Sequence, residues 1–381
     1  MNLPITLAFA YVSLLSFKSW LVASHARRMA ATGTNPLPLG CMTIVQPILS
    51  GDPLLESRLS ENLSALVGQS FLWLIDEDDS EAKRIAGDLR TLHPLADLNV
   101  EFCPPCPDAT NPKLWKLHRA AGLVRTLFFF VLDDDTFLSA SSAATLVSAA
   151  TNHTVATGLP CYSDSGDLPS RLLAQFVNNN SVFTYLGTTR LVRPFTLNGM
   201  GYALRTGELS LIQNFEPIVH ELTDDLALAT LVLRQGGSIC QSAAPLRVRT
   251  TVLTLVHYFQ LMHRWYVFTL LLLQRQDFPT RLLIFVLHGL PPFLLVALFL
   301  ATACSATLGS GLVLLGVLAL RFLVLEWIQR RHFGCHLQRT ILSIVSELLQ
   351  PIHLVHAWTS RTIRWRTRHY RVRDTNDFSE A

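Results

Sequence analysis

Two regimes of hydrophobic patterning alternate along this chain. Residues 3–24 are almost uniformly apolar and run into His25-Ala26-Arg27-Arg28. From Cys41 to about Gln241 the apolar residues fall instead in short β-rich runs. Met42 to Ile48, Phe71 to Ile75, Leu98 to Phe102, Thr126 to Leu132 and Thr154 to Leu159 read as strands. Helical periodicity fills several gaps between them, near 54–67, 80–92 and 112–124. That alternation predicts an α/β fold, a parallel sheet with flanking helices. Beyond Trp265 the long apolar stretches return. Residues 281–304 are interrupted only by Pro291-Pro292, an uncharged loop covers 305–311, and 312–328 lead to Arg330-Arg331. Residues 341–358 are apolar apart from Glu347 and Pro351.

The first stretch suits a membrane helix of about 20 residues. As a signal peptide it would carry its charge on the wrong side and lack a small-residue cleavage site. Its trailing basic residues place that end in the cytosol. Lys18 lies near the same end and is expected to snorkel to the interface. Residues 281–328 predict a transmembrane hairpin with both ends cytosolic, in which Arg321 and Glu326 must face protein or the interface. If 341–358 also crossed, the basic tail would face outward, so an interfacial or re-entrant helix is expected there. The segmentation is then an N-terminal membrane helix (1–28), an α/β domain (41–265) and a C-terminal membrane region with a basic tail (266–381).

Composition agrees with a membrane protein: half of the 381 residues are hydrophobic and only 15% are charged. The net charge of +3 matters less than its placement, in Arg361, Arg364, Arg366, Arg368, Arg371 and Arg373. Beside membrane segments such a cluster points to anionic lipid head groups, and no nucleic-acid partner is expected. The seven cysteines are scattered. Cys103-Pro104-Pro105-Cys106 lacks the second pair or helix start of a zinc or redox site and reads as a Pro-rich loop.

Candidate chemistry gathers on acids. The run Phe128-Phe129-Phe130-Val131-Leu132 ends in Asp133-Asp134-Asp135. Three carboxylates at the end of a buried strand repel one another. A hard divalent cation shared with a substrate diphosphate would relieve this, and a solvated acidic turn is the simpler alternative. Asp76-Glu77-Asp78-Asp79 follows an earlier strand, Asp224-Asp225 opens a helical pattern over 226–233, and Arg264-Trp265 precedes the apolar region.

The order of these stations resembles lipid-directed glycosyltransferases of the GT-A fold and, more narrowly, the ceramide glucosyltransferase family. Gln46-Pro47, Asp52-Pro53, Asn111-Pro112-Lys113, Gly158-Leu159-Pro160, Asn198-Gly199-Met200 and Asp224-Asp225 carry the likeness, as do Trp365-Arg366-Thr367 and Tyr370-Arg371-Val372-Arg373. The resemblance implies a GT-A nucleotide-sugar domain between N- and C-terminal membrane helices. It implies direct, inverting transfer of a hexose, glucose from UDP-glucose, to the primary hydroxyl of ceramide.

By the same resemblance Asp133 and Asp135 form the DxD pair for Mg2+ or Mn2+ and the diphosphate. One of Asp76, Asp78 and Asp79 meets the uridine, Asp225 is the general base, Arg264 stabilises the leaving diphosphate and Trp265 walls the acceptor. Lys113 and Lys116 are placed to meet the nucleotide phosphates, with Pro112 as a plain helix start the alternative. One departure stands out: three positions before Arg264 the chain has Leu261, and Gln260 comes one residue early. A local bulge would restore Gln260 to the motif. The acceptor could also be a hopanoid or another lipid, and a catalytically inactive nucleotide-binding scaffold is the non-enzymatic reading. The membrane would be a bacterial inner membrane or the Golgi, with the catalytic domain cytosolic.

Overall fold

The computed structural model describes residues 2–29, 37–163, 166–334, 338–365, 368–372 and 378–380. Arg366 and Arg373 of the basic tail, and most of the expected linker after the first helix, lie outside them. Along the chain the first elements are α1 (Leu3–Met29), β1 (Met42–Pro47), α2 (Leu55–Ala65), β2 (Ser70–Asp76), α3 (Ser80–Leu92), β3 (Asp97–Cys103), α4 (Pro112–Ala121) and β4 (Phe128–Leu132). Then come β5 (Thr136–Phe137), α5 (Ala140–Asn152), β6 (Val155–Tyr162), α6 (Leu168–Ser181), β7 (Gly201–Arg205), α7 (Asp224–Arg234) and β8 (Ile239–Val248). The chain continues through α8 (Leu255–Gln274), α9 (Phe278–Ile284), α10 (Leu290–Ser305), α11 (Leu308–Phe333), α12 (Thr340–Thr359) and three short strands, β9 (Thr362–Trp365), β10 (Arg368–Val372) and β11 (Phe378–Glu380). These elements form two compact units: Thr32–Cys161 with Pro194–Thr251, and Met1–Ala31 with Tyr162–Arg193 and Val252–Ala381.

The first of these is the α/β unit. Its sheet has the order β3-β2-β1-β4-β7-β6-β8-β5. The half from β3 to β4 is parallel, as the alternation of strands and helices predicts. The other half departs from that expectation, because β7 pairs antiparallel with both β4 and β6. Gly201–Arg205 is too short, and too close to the Asn198-Gly199 turn, for its pattern to stand out as a strand. Alternate residues of β4 serve opposite faces. Phe130 and Leu132 join a core with Leu59, Ile85 and Leu146, from α2, α3 and α5, while Phe129 and Val131 join one with Leu117 and Leu228, from α4 and α7. The parallel strands β1, β2 and β4 end in Ile48 to Asp52, Asp76 to Asp79 and Asp133 to Asp135, so the acids share the edge where α/β sheets bind ligands.

The second unit is helical. Four of its segments are long and apolar enough to cross a membrane: Leu3–His25, Phe278–Ser305, Leu308–Phe333 and Thr340–Thr359. The chain is thus built as an integral membrane protein. Pro291-Pro292 does not break the second segment. A π-helical turn at Phe285–Gly289 precedes the prolines, and α10 starts with them in its first turn, where their missing N–H groups are least needed. The expected loop contracts to two residues, Ala306 and Thr307, with Thr307 capping α11 through Ser310 N. Length and composition also permit α12 to cross, and Arg321–Glu347 at 2.6 Å ties it to α11. Glu326 pairs with Arg330 one turn on. Lys18 differs from expectation: it is 7% exposed and packs over the Phe183 ring instead of reaching out of the bundle.

Candidate active site

Asn111 builds the centre of the site. Its side chain caps α4 by accepting from Lys113 N and Leu114 N, with Pro112 at the first helical turn. Its amide nitrogen donates to Glu221 O and Leu222 O, and its backbone N–H donates to Val219 O. The start of α4 is thereby fixed to the segment that enters α7. Lys113 is carried to Asp224 as a consequence.

Lys113 Nζ stands 2.6 Å from Asp133 Oδ1 and 2.7 Å from Asp224 Oδ2, and donates to Gly199 O at 2.8 Å. Burial alone would lower the pKa of this ammonium, but the two carboxylates outweigh it and hold the group well above the usual lysine range. Asp133 is pushed up to about 6 by burial, against the pull of Lys113 and with added repulsion from Asp135 and Asp224. Asp134 is pushed up to about 7 by burial and by Asp135, although it accepts from Leu49 N at 2.9 Å. Asp135 accepts from Thr136 Oγ1 at 3.0 Å and Thr250 Oγ1 at 2.6 Å.

Asp225 lies beside Asp224 in the first turn of α7, where the positive end of the helix dipole favours acids. Burial and the neighbouring Asp224 raise it to about 7, opposed by a 2.7 Å bond from Leu226 N and by Lys113. Gly199 closes the approach: a Cβ there would stand 3.3 Å from Asp225 Cβ and 3.4 Å from Asp224 Oδ2. Asp135 and Asp224 thus act on Asp133, Asp224 acts on Asp225, and Lys113 acts on both Asp133 and Asp225.

The acids after β2 divide their tasks. Asp79 caps α3 through Ala82 N and holds the loop after β1 through Ser50 N. Burial would raise its pKa, but these N–H bonds and Lys116 bring it below the usual range. Asp76 pairs at 2.9 Å with buried Lys116, which also donates to Ile48 O. Asp78 is exposed. Asp52 receives the Thr251 backbone N–H and hydroxyl and caps its own turn at Leu54 N. The bond from Asp79 to Ser50 and the roles of Lys116 and Thr250 had no local sequence signal, because each of these partners lies on another element.

These residues fit a divalent cation. Asp133 and Asp135 are hard ligands one residue apart, and Lys113 already supplies positive charge at Asp133. Among the described residues no group of three or more His, Cys, Asp or Glu side chains is gathered to enclose a metal. Mg2+ commonly takes only one or two carboxylates and completes its shell with water and substrate phosphates.

Arg264 and Trp265 lie on α8, in the helical unit. Trp265 has Tyr162 edge-on and Phe176 tilted against it, both at 6.3 Å between ring centroids. The Tyr162 backbone is clamped from both sides by the Asn178 amide, at 2.8 Å each. The bulge that would realign Gln260 is absent. The helix is regular from Leu255 to Gln274, so Gln260 sits one turn before Arg264 and on the same face. Cys103 and Cys106 flank the Pro-rich segment, their thiols donating to Glu101 O and Thr110 O.

The unit's architecture has solved counterparts. A mannosyltransferase from Pyrobaculum calidifontis, solved with GDP-Man and Mn2+, shares 12% identity over 94% of this chain and 97% of its own, with a TM-score of 0.55. S. aureus TarS 1–349, solved with UDP-GlcNAc, shares 11% identity over 89% of this chain and 99% of its own at a TM-score of 0.38, too low to support an argument. The first of these shows a GT-A glycosyltransferase fold. No curated protein sequence matches. The profile of glycosyl transferase family 21 matches residues 5–377, nearly the whole chain. The chain therefore belongs to glycosyl transferase family 21, the ceramide glucosyltransferase family.

Proposed function

We propose that this glycosyltransferase is inverting and moves glucose from UDP-glucose to the primary hydroxyl of ceramide. The observation that carries the proposal is the Lys113 bridge, which brings the DxD acid Asp133 to Asp224 and hence to the neighbouring base candidate Asp225. Family membership and the membrane helices support a lipid acceptor, whose tails stay in the bilayer.

The acceptor oxygen forms a bond to the anomeric carbon while the bond from that carbon to the diphosphate breaks. UDP leaves with the electron pair, and the hydroxyl proton passes to Asp225. A buried carboxylate with a raised pKa is a better proton acceptor than a free aspartate of pKa about 3.9. A Mg2+ or Mn2+ ion, when bound, supplies charge neutralisation for the leaving diphosphate and would be held by Asp133 and Asp135. Lys113 adds a fixed positive charge there. One of Asp76, Asp78 and Asp79 meets the uridine end, and exposed Asp78 is the carboxylate least committed to the fold. Arg264 stabilises the diphosphate and Trp265 walls the acceptor. The catalytic domain, residues 41–265, faces the cytosol, because the basic residues in the last turns of α1 and α11 favour that side.

The test is a reconstitution. The full chain in lipid nanodiscs receives UDP-glucose, Mg2+ and either ceramide or a hopanoid, with UDP release and lipid products read by mass spectrometry. Glucosylceramide formation is expected. Product only from the hopanoid moves the acceptor class, and no UDP release with any lipid leaves a nucleotide-binding scaffold. Asp225→Asn is expected to keep UDP-glucose binding and lose transfer by about 1000-fold; near-normal turnover by it removes Asp225 as the base.

A further inference from the structure

A polar cavity lies among the membrane helices of the helical unit. The charges around it do not cancel. Arg321, 2% exposed, has Glu347 at 2.6 Å and donates to the Ser343 hydroxyl and carbonyl. Tyr11 donates to the other Glu347 oxygen at 3.0 Å. One cation and one anion are thereby satisfied. Lys18 lines the same space and is 7% exposed. Its ammonium lies 4.6 Å from the Phe183 ring centroid, and among the described residues it has no hydrogen-bond acceptor or carboxylate partner.

Two further polar groups line the cavity. Gln350 is also 7% exposed and makes no hydrogen bond through its amide among the described residues. His288 bonds Thr188 Oγ1 through Nε2, which leaves its buried Nδ1 unpartnered. Glu347 lines the same space but does not contact Lys18, and a cation among membrane helices with no anion in contact is disfavoured, a cost that an aromatic face offsets only in part. The site therefore lacks one negative charge and several acceptor oxygens, the chemistry of a phosphodiester. Leu15, Pro291 and Leu325 give it apolar walls on which acyl chains can lie.

Polar contacts continue from the cavity-lining His288 toward the end of α1. Ser24 accepts from Arg190 Nε, His25 meets Thr189, and Thr188 meets His288. Lys18 lies seven residues before His25, about 10 Å along the helix. We propose that this cavity binds the phosphodiester head group of an anionic membrane lipid, with Lys18 as its counter-charge. The proposal does not depend on which sugar or acceptor the α/β unit uses.

The full chain in detergent is titrated with phosphatidylglycerol and, in separate arms, with diacylglycerol, ceramide and inorganic phosphate, and bound species are read by native mass spectrometry. One phosphatidylglycerol per chain is expected, displaced by none of the other three. Lys18→Met should weaken it by about tenfold or more, while Lys18→Arg retains it. Wild-type affinity in Lys18→Met overturns the proposal. So does displacement by ceramide, which marks an uncharged head-group site, or by inorganic phosphate, which marks a free-anion site. If Lys18→Met does not fold, Gln350→Leu takes its place, and unchanged phosphatidylglycerol binding in that variant is equally decisive against it.

Discussion

Lys113 on α4 and Asp224 on α7 stand 2.7 Å apart, although 110 residues of chain lie between them. The contact exists because Asn111 both caps α4 and binds the carbonyls of Glu221 and Leu222. A helix cap thus doubles as the device that places a cation among acids.

Removing that cation leaves Asp133 and Asp224 facing each other. Lys113→Met is expected to lower kcat/KM by about 100-fold or more, the scale for losing one preorganised charge contact. Steady-state kinetics in nanodiscs measure it, and a melting curve shows whether the variant remains folded. An effect below threefold would reduce Lys113 to a structural tie.

The pH dependence follows from Asp225. A base must be unprotonated, and burial with the Asp224 charge raises Asp225 to about 7. Activity should therefore fall as pH drops through that value. Asp224→Asn removes the like charge, so the acid limb of the kcat/KM profile should move to lower pH. A limb that stays in place in this variant assigns the titration to another group.

Gly158 is a packing requirement of the α/β unit. A Cβ there would meet Leu246 Cγ at 2.6 Å and the Ala244 carbonyl oxygen at 2.9 Å, and backbone cannot step aside as a side chain can. Gly158→Ala should destabilise the unit by about 1–3 kcal/mol. Thermal unfolding checks it; an unchanged melting temperature means that β6 and β8 can separate freely.

Among the membrane helices, Arg321 and Glu347 are coupled by burial. Arg321→Met strands a carboxylate and should cost about 3–5 kcal/mol, whereas Arg321→Met with Glu347→Met removes both charges and should be far closer to wild type. Unfolding in detergent, followed by tryptophan fluorescence, compares the two. Equal losses would show that the charges act independently.

Much of the architecture was legible in the linear pattern. The five expected strands correspond to β1, β2, β3, β4 and β6, and the apolar stretches correspond to helices long enough to cross a membrane. Strand β7 was not legible, because five residues beside a glycine turn carry too little periodicity to declare themselves. Pro291-Pro292 read as a break, yet a π-helical turn absorbs it. The acids at the ends of β2 and β4 and at the head of α7 were visible as acids. Their partners were not: Asp79 looks like its neighbours until Ser50 and Ala82 are seen bound to it.

The sequence alone determined most of the elements, the long apolar segments and the kinds of chemistry available, because each follows from local free energies that sum over a short window of residues. Tertiary structure decided which charges meet. Lys18 shows the difference: by position it belongs at a membrane interface, yet packing against Phe183 turns it inward. Lys113 shows it again, since an ion pair depends on distances of a few ångströms between segments whose separation along the chain says nothing about their separation in space.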